Sequence, residues 1–308
     1  MLDLNAVQQQ LMAEIADLTD VPAGAYNFRV NSELAGRNTT DNINIVSKEG
    51  MPGIDIFIKP NTKNESVHIP VVVSESGIKE TVYNDFFIGD NCDVVIVAGC
   101  GIDNCGTHDA QHDGIHRFYV GKNAKIKYVE KHYGSGSGEG KRILNPVTEV
   151  YMEEGSSMEM EMEQIKGVDS TERKTIAELK ADARLVVKER LMTHGQQFAT
   201  SDYQVSLNGE NSTADVVSRS VARDVSRQTF NARITGNAPC SGHTECDSII
   251  MDEGKILAIP SLEANDVDAM LVHEAAIGKI AGDQLIKLMT LGLTEAEAEE
   301  QIINGFLR

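Results

Sequence analysis

Two stretches of the chain gather side chains able to hold soft metals or sulfur. The first runs Cys100-Gly-Ile-Asp-Asn-Cys105-Gly-Thr-His108 and continues through His112-Asp-Gly-Ile-His116, so two thiols and three imidazoles fall in one short run. The second runs Cys240-Ser-Gly-His243-Thr-Glu245-Cys246-Asp247, followed by Glu263 and by His273-Glu274. Thiolate, imidazole and carboxylate groups bind iron or zinc when brought within about 2 to 2.4 Å of one ion. The step from Cys246 to His273 has the length of one coil of a solenoid. Stacking of coils at about 4.8 Å then brings Cys246, His273 and Glu274 together. Each stretch also has a plainer reading. Cys246 is then a small buried residue beside a surface His273-Glu274 pair, and Cys100 to His116 is a tight glycine-rich corner. Neither a CxxC pair nor a ferredoxin cysteine run occurs to decide between them.

Hydrolytic and nucleotide chemistry lack their motifs. The chain has no G-x-S-x-G elbow, no H-E-x-x-H and no Walker A sequence. Gly134-Ser-Gly-Ser-Gly-Glu-Gly140 lacks the Lys-Ser/Thr and following helix of a phosphate loop, and reads as a flexible hairpin. If ATP drives the function, another chain binds it.

The positioning elements follow from periodicity. Leu4, Val7, Leu11, Ile15 and Leu18 recur at helical spacing, predicting an amphipathic helix that ends before Val21-Pro22. From Tyr26 to Val82, Asn, Gly and Thr surround short apolar runs, an irregular β lead-in. From Thr81 to His273 a weak repeat appears: a polar turn and a small residue at 92, 124, 157, 183 and 212, each opening a strand of alternating character. Met158, Met160 and Met162 share one face of such a strand, and Glu159, Glu161 and Glu163 the other. Repeats of about 30 residues made only of strands and turns predict a β-solenoid, and a β-sandwich would need shorter spacing. Gly278 to Leu291 reads as a helix, Leu291-Gly292-Leu293 as its stop, and Thr294 with Glu297 as a capping box opening a second helix to about Asn304. The expected layout is residues 1–80 as helix and lead-in, 81–273 as solenoid, and 274–308 as a helical hairpin, either a cap or a dock.

Composition narrows the function. Net charge is −19, from 28 basic and 47 acidic side chains, which argues against nucleic acid and anionic membrane as partners. The longest uncharged apolar run, Val94 to Ile102, is too short to span a bilayer. Met1-Leu2-Asp3 opens an acidic stretch instead of a basic leader, so a cytoplasmic protein with five reduced cysteines is expected. Aromatics make up 5% and Trp is absent, which suits repetitive packing and argues against a sugar-binding β-helix enzyme.

Several stretches resemble the SufB/SufD family, the scaffold subunits of SUF iron–sulfur cluster assembly. They are Val-Ala-Gly-Cys-Gly-Ile up to Ile102, His112-Asp-Gly-Ile-His-Arg-Phe118, Asp215-Val-Val-Ser-Arg-Ser-Val221, Gly242-His-Thr-Glu-Cys-Asp-Ser-Ile-Ile250, and the tail from His273 through Gly282-Asp-Gln-Leu285 to Gly305-Phe-Leu-Arg308. The resemblance implies a right-handed parallel β-helix with a C-terminal helical element. It implies a SufC-type ABC ATPase docked on those helices, through Leu285, Leu288, Met289, Ile302 and Phe306. It implies a transient iron–sulfur cluster at a scaffold dimer interface, in a homodimer or with a paralogous subunit, and no turnover by the chain itself. His273 and Glu274 match the family's His-Glu-Ala element. The cysteine that accompanies it would fall near Gly254-Lys255, where this chain has none, so Cys246 stands in. The expected metal ligands are Cys246, His273, Glu274 and Glu263, with Cys100, Cys105 and His116 as a second set. The alternative is a structural adaptor that activates the ATPase without holding a cluster. The chain is shorter than typical family members and resembles a minimal form.

Overall fold

A computed structural model describes residues 4–308. The chain is mainly β, a solenoid of about eight turns with one N-terminal and two C-terminal helices. Two sheets of ten strands each form its walls, and each coil contributes to both. Val94, Ile126, Met158, Leu185, Ala214, Gly242 and Leu271 stack in one column of parallel pairs. The numbering of that column shows longer coils toward the N-terminus and shorter ones beyond Met158.

The repeating corner explains the weak sequence repeat. Asn91, Asn123, Gly155, Asp182 and Asn211 take left-handed φ of 55 to 69°, which Asn, Asp and Gly tolerate. Each is followed by a small buried residue: Cys92, Ala124, Ser156, Ala183 and Ser212. In the third of these it is Ser156, not Ser157, that turns inward, because Ser157 already pairs with Lys125 and Arg184 in the ladder. Met158, Met160 and Met162 are at most 1% exposed. Their outward partners Glu159, Glu161 and Glu163 pair with Lys188, Lys127 and Arg190 of adjacent strands. One apolar core, from Ala25 to Cys246, fills the space between the sheets.

Parallel stacking extends further toward the N-terminus than the sequence repeat. Strand Ala25–Val30 already pairs in parallel with Lys63–Val73, and Gly53–Ile58 with Lys79–Ile88, both before the coils that the repeat marks. Among the described residues, only the outermost strands, Glu33–Asn38 and Ile43–Ser47, pair antiparallel. Helix α1 (Ala6–Ala16) opens with an Asn5/Gln8 capping box. It packs Leu11 and Ile15 onto Gly101 and Gly99 of strand Asp93–Asp103; a Cβ at Gly99 would sit 2.4 Å from the Ile15 carbonyl oxygen. Helices α2 (Gly282–Met289) and α3 (Glu295–Phe306) form the expected hairpin, with the Thr294/Glu297 capping box at α3 and Gly292 at φ 100° between them. Ile303 and Leu307 bury against Val221 and Met251, so α3 lies beside the solenoid. No helix among the described residues is long and apolar enough to cross a membrane.

Phe118 is fully buried and stacked on Phe86 at 4.4 Å between centroids. Phe118→Ala should cost about 3–5 kcal/mol, through lost transfer energy and the cavity left behind. Chemical denaturation should show a lower midpoint with an unchanged slope; a loss below about 1 kcal/mol would mean the coils collapse onto the gap.

Candidate functional site

Inward parity along strand Asp93–Asp103 turns Cys100 into the solenoid while Gly99 and Gly101 face α1. His132 is its cross-strand neighbour on the same sheet, and His112 approaches from the opposite sheet. Burial alone would push the Cys100 thiol up. The charge and hydrogen bonding of His112, then of His132, outweigh it and bring the thiol down to about 7. His112, buried itself, is raised to about 10 by Cys100 and Glu80 against its own desolvation. A substantial share of Cys100 is therefore thiolate at neutral pH, facing a protonated His112.

Two further residues hold that pair in place. His112 Nδ1 lies 2.9 Å from Glu80 Oε1, and Arg29 donates to Glu80 Oε2 at 3.0 Å. Inward Gly114 sits between His112 and His116, and a Cβ there would lie 3.6 and 3.2 Å from their Nε2 atoms. Glycine there lets the two imidazoles pack closely on either side of it. His116 shares a 2.8 Å hydrogen bond with Tyr128 Oη, and burial holds its pKa down to about 4, so it is neutral.

From Cys100 a line of polar groups continues through the core. His132 meets Gln164 at 3.4 Å and Arg173 at 3.4 Å. Arg173 ion-pairs with Glu130, and its charge holds that carboxyl well below the usual range although burial opposes ionisation. The same guanidinium lies 3.8 Å from Glu189. Glu189 accepts from Ser201 at 2.6 Å, Tyr203 at 2.9 Å and Ser218 at 2.7 Å. Ser218 is the cross-strand neighbour of Cys246, whose Sγ lies 3.6 Å from Ser248 Oγ. The buried thiols Cys100 and Cys246 therefore stand at two ends of one polar interior path.

The predicted ligands separate on the folded coils. Cys246 is 1% exposed and stacks on Ala275, not on His273. His273 stacks on Thr244, with 2.6 Å between its Nδ1 and Thr244 Oγ1. Cys246 and His273 share the inward face two positions apart, about 7 Å along the strand. Glu274 faces outward, across from Glu245. Glu263 lies on the other sheet, exposed, paired with Thr235. Of the second set, Cys100 and His116 both point inward, whereas Cys105 is exposed and bonds Asp103 at 3.4 Å. Burial pushes the Cys246 thiol up, with a hydrogen bond from Ser248 in opposition.

Among the residues predicted for docking, Leu285, Leu288, Ile302 and Phe306 are half-buried or exposed along the hairpin, and Met289 is exposed. Phe306 packs against the Ile303–Met251 cluster. Ile286 and Leu291, 61% and 76% exposed, are the barest apolar residues of the hairpin and are absent from the sequence-predicted set. His132, Glu130, Arg173, Glu189, Glu80 and Arg29 are absent from it too. Their signal is polarity at inward positions, as in Ile126-Tyr128-Glu130-His132 and Leu185-Val187-Glu189-Leu191.

A family model described as SUF system FeS cluster assembly, SufBD core domain, matches residues 87–306. An iron–sulfur cluster assembly SufBD family protein of Methanocaldococcus jannaschii is 30% identical over 265 residues, covering 84% of this chain and 82% of the relative. One from Methanothermobacter thermautotrophicus is 29% identical over 239 residues, covering 76% of this chain, and one from Archaeoglobus fulgidus 31% over 234, covering 74%. The chain spans 57% and 61% of the length of those last two relatives.

Two measurements test the Cys100 environment. Glu80 has a folded pKa of about 2, below its ordinary 4.5, because His112 and Arg29 outweigh its desolvation. A depressed carboxylate adds stability that is full above about pH 5 and is lost as pH falls through its folded value. Glu80→Gln should therefore flatten the acid limb of a stability–pH curve. His112→Gln should move ionisation of Cys100 from about 7 toward the ordinary thiol range. The readout is thiolate ultraviolet absorbance against a Cys100→Ser blank, and an unmoved titration would show that His112 does not activate the thiol.

Proposed function

The chain belongs to the SufBD family, and from that premise we propose that it is a non-catalytic scaffold on which iron–sulfur clusters are assembled as cargo. The observation that carries this reading is the interior thiol Cys100, its ionisation favoured by His112 and His132, and joined to Cys246 by polar groups. An ionised thiol is the form that accepts sulfur or binds iron.

The proposed partners are a SufC-type ABC ATPase and a second scaffold subunit. Supporting the first are the exposed Ile286, Met289 and Leu291 of the helical hairpin. Supporting the second is the last coil. Strands Lys255–Ala264 and Met270–Gly278 end the two sheets, each with an edge that no described strand pairs, and expose Leu257, Ile259, Met270 and Val272. Edges of that kind are templates for another chain. The cytoplasm, where thiols stay reduced, is the compartment this chemistry needs.

Anaerobic reconstitution with ferrous iron and sulfide, with the cognate ATPase present, should yield visible charge-transfer absorption. Cys100→Ser should remove half or more of that absorption, with folding checked by circular dichroism. If the protein stimulates the ATPase but never takes up iron and sulfide, the adaptor reading replaces the scaffold. An unaffected Cys100→Ser variant would move the site away from Cys100.

A further inference from the structure

The outer face of the sheet that ends at Met270–Gly278 carries a second, chemically different cluster. His243, Glu245 and Glu274 each offer one ligand atom, and these atoms lie within 4.8 Å of one another. His243 and Glu245 alternate on strand Ser241–Ile250, and Glu274 is the cross-strand neighbour of Glu245. His243 Nδ1 lies 2.8 Å from Asp215 Oδ1, and its Nε2 lies 3.9 Å from Glu274 Oε2. A carboxylate only accepts, so Nδ1 donates to Asp215, and Nε2 is left turned toward Glu274. A carboxylate that fixes the tautomer of a ligating imidazole is the usual outer support of a metal-bound histidine.

The same face supplies an independent observation. Glu159, Glu161 and Glu163, a few strands back, each have a cross-strand Lys or Arg partner within 3.0 Å. Around His243 that pattern stops. Among the described residues, Glu245, Asp247 and Glu274 have no Lys or Arg within salt-bridge distance, and Asp215 has only His243. Arg219 is the cross-strand neighbour of Asp247 and forms a salt bridge with neither Asp247 nor Glu245. Lys188, Arg190, Arg219 and Arg308 border the same groove as Asp215 and Glu245, yet none closes an ion pair with these carboxylates, and His243 points between them.

We propose that His243, Glu245 and Glu274, supported by Asp215, form a surface site for a divalent first-row metal ion, ferrous iron in this setting. One imidazole and two carboxylates are borderline-to-hard donors that suit ferrous iron, manganese or zinc, and contrast with the thiol interior behind them. Three protein ligands on an open sheet leave coordination positions for water, so the ion is held exchangeably. That iron is the natural occupant rests on the scaffold reading; that a metal binds does not.

The test uses ferrous iron alone, without sulfide and without oxygen, on the full chain, with manganese(II) electron paramagnetic resonance as a second probe. One ion per chain is expected. His243→Gln and Glu245→Gln should each weaken binding tenfold or more, and Asp215→Asn by less. Glu159→Gln, an ion-paired position further back on the same face, should leave it unchanged. All four positions lie on the outer face, and circular dichroism verifies the fold. Binding that survives the His243→Gln/Glu245→Gln double variant, or wild-type protein that binds no ion, overturns the site. If wild type binds no free iron yet builds a cluster, the site falls and the scaffold stands. If it binds iron at His243 yet builds no cluster and touches no ATPase, the scaffold falls and the site stands.

Discussion

Parallel register, kept coil after coil, is the constraint on which everything else in this molecule depends. Once Val94 stacks on Ile126 and Ile126 on Met158, every second residue is committed to the interior and every other one to water. A one-residue slip would send Met158, Met160 and Met162 outward and bring three glutamates in. The left-handed Asn and Asp corners and the small residues after them hold that register by setting where each strand begins. Chemistry follows from the same rule, since parity alone decides whether a polar side chain meets buried thiols inside or solvent outside.

Interior charge is what this arrangement makes expensive. Arg173, Glu130 and Glu189 are each at most 5% exposed, and burying ions costs several kcal/mol apiece before pairing offsets it. The pairing here is nearly complete: Glu189 alone accepts from two serines and a tyrosine. Methionines and leucines at those positions, as in neighbouring coils, would stabilise the solenoid at least as well. A polar line kept through an apolar core is therefore weak evidence for stability and better evidence for use. It supplies hydrogen bonds along a route between two buried thiols.

Much of the architecture was legible because local signals agreed with the global fold. Period-2 methionine and glutamate, the polar turns, and the Thr294/Glu297 box each specify one element without help from distant contacts. The site was less legible because it depends on coil length to the residue. The step from Cys246 to His273 has the length of a coil elsewhere in the solenoid, but the coil there closes two residues later, on Ala275. Two residues of error keep a side chain on the same face and displace it along the strand. One residue of error, as for Glu274, changes the face altogether. Cys100, His112 and Glu80 converge from three strands on two sheets, and no linear spacing encodes that meeting.

The two ends of the solenoid differ in a way that bears on where iron and sulfur can meet. At the N-terminal end the sheets finish in short antiparallel strands, and α1 covers the wall behind Cys100. At the other end α3 packs sideways on Val221 and Met251, and no described strand pairs with either edge. Cys246, His273 and the His243–Glu245–Glu274 cluster all lie in the last two coils beside that edge. Cys246 and His273 face inward, and the carboxylates face outward across a single sheet. A partner laid on the edge would close the interior over His273 and reach the outer cluster with the same surface. Soft donors within and hard donors without then border one seam, where a thiol-borne sulfur and a carboxylate-borne ion have the shortest distance to travel.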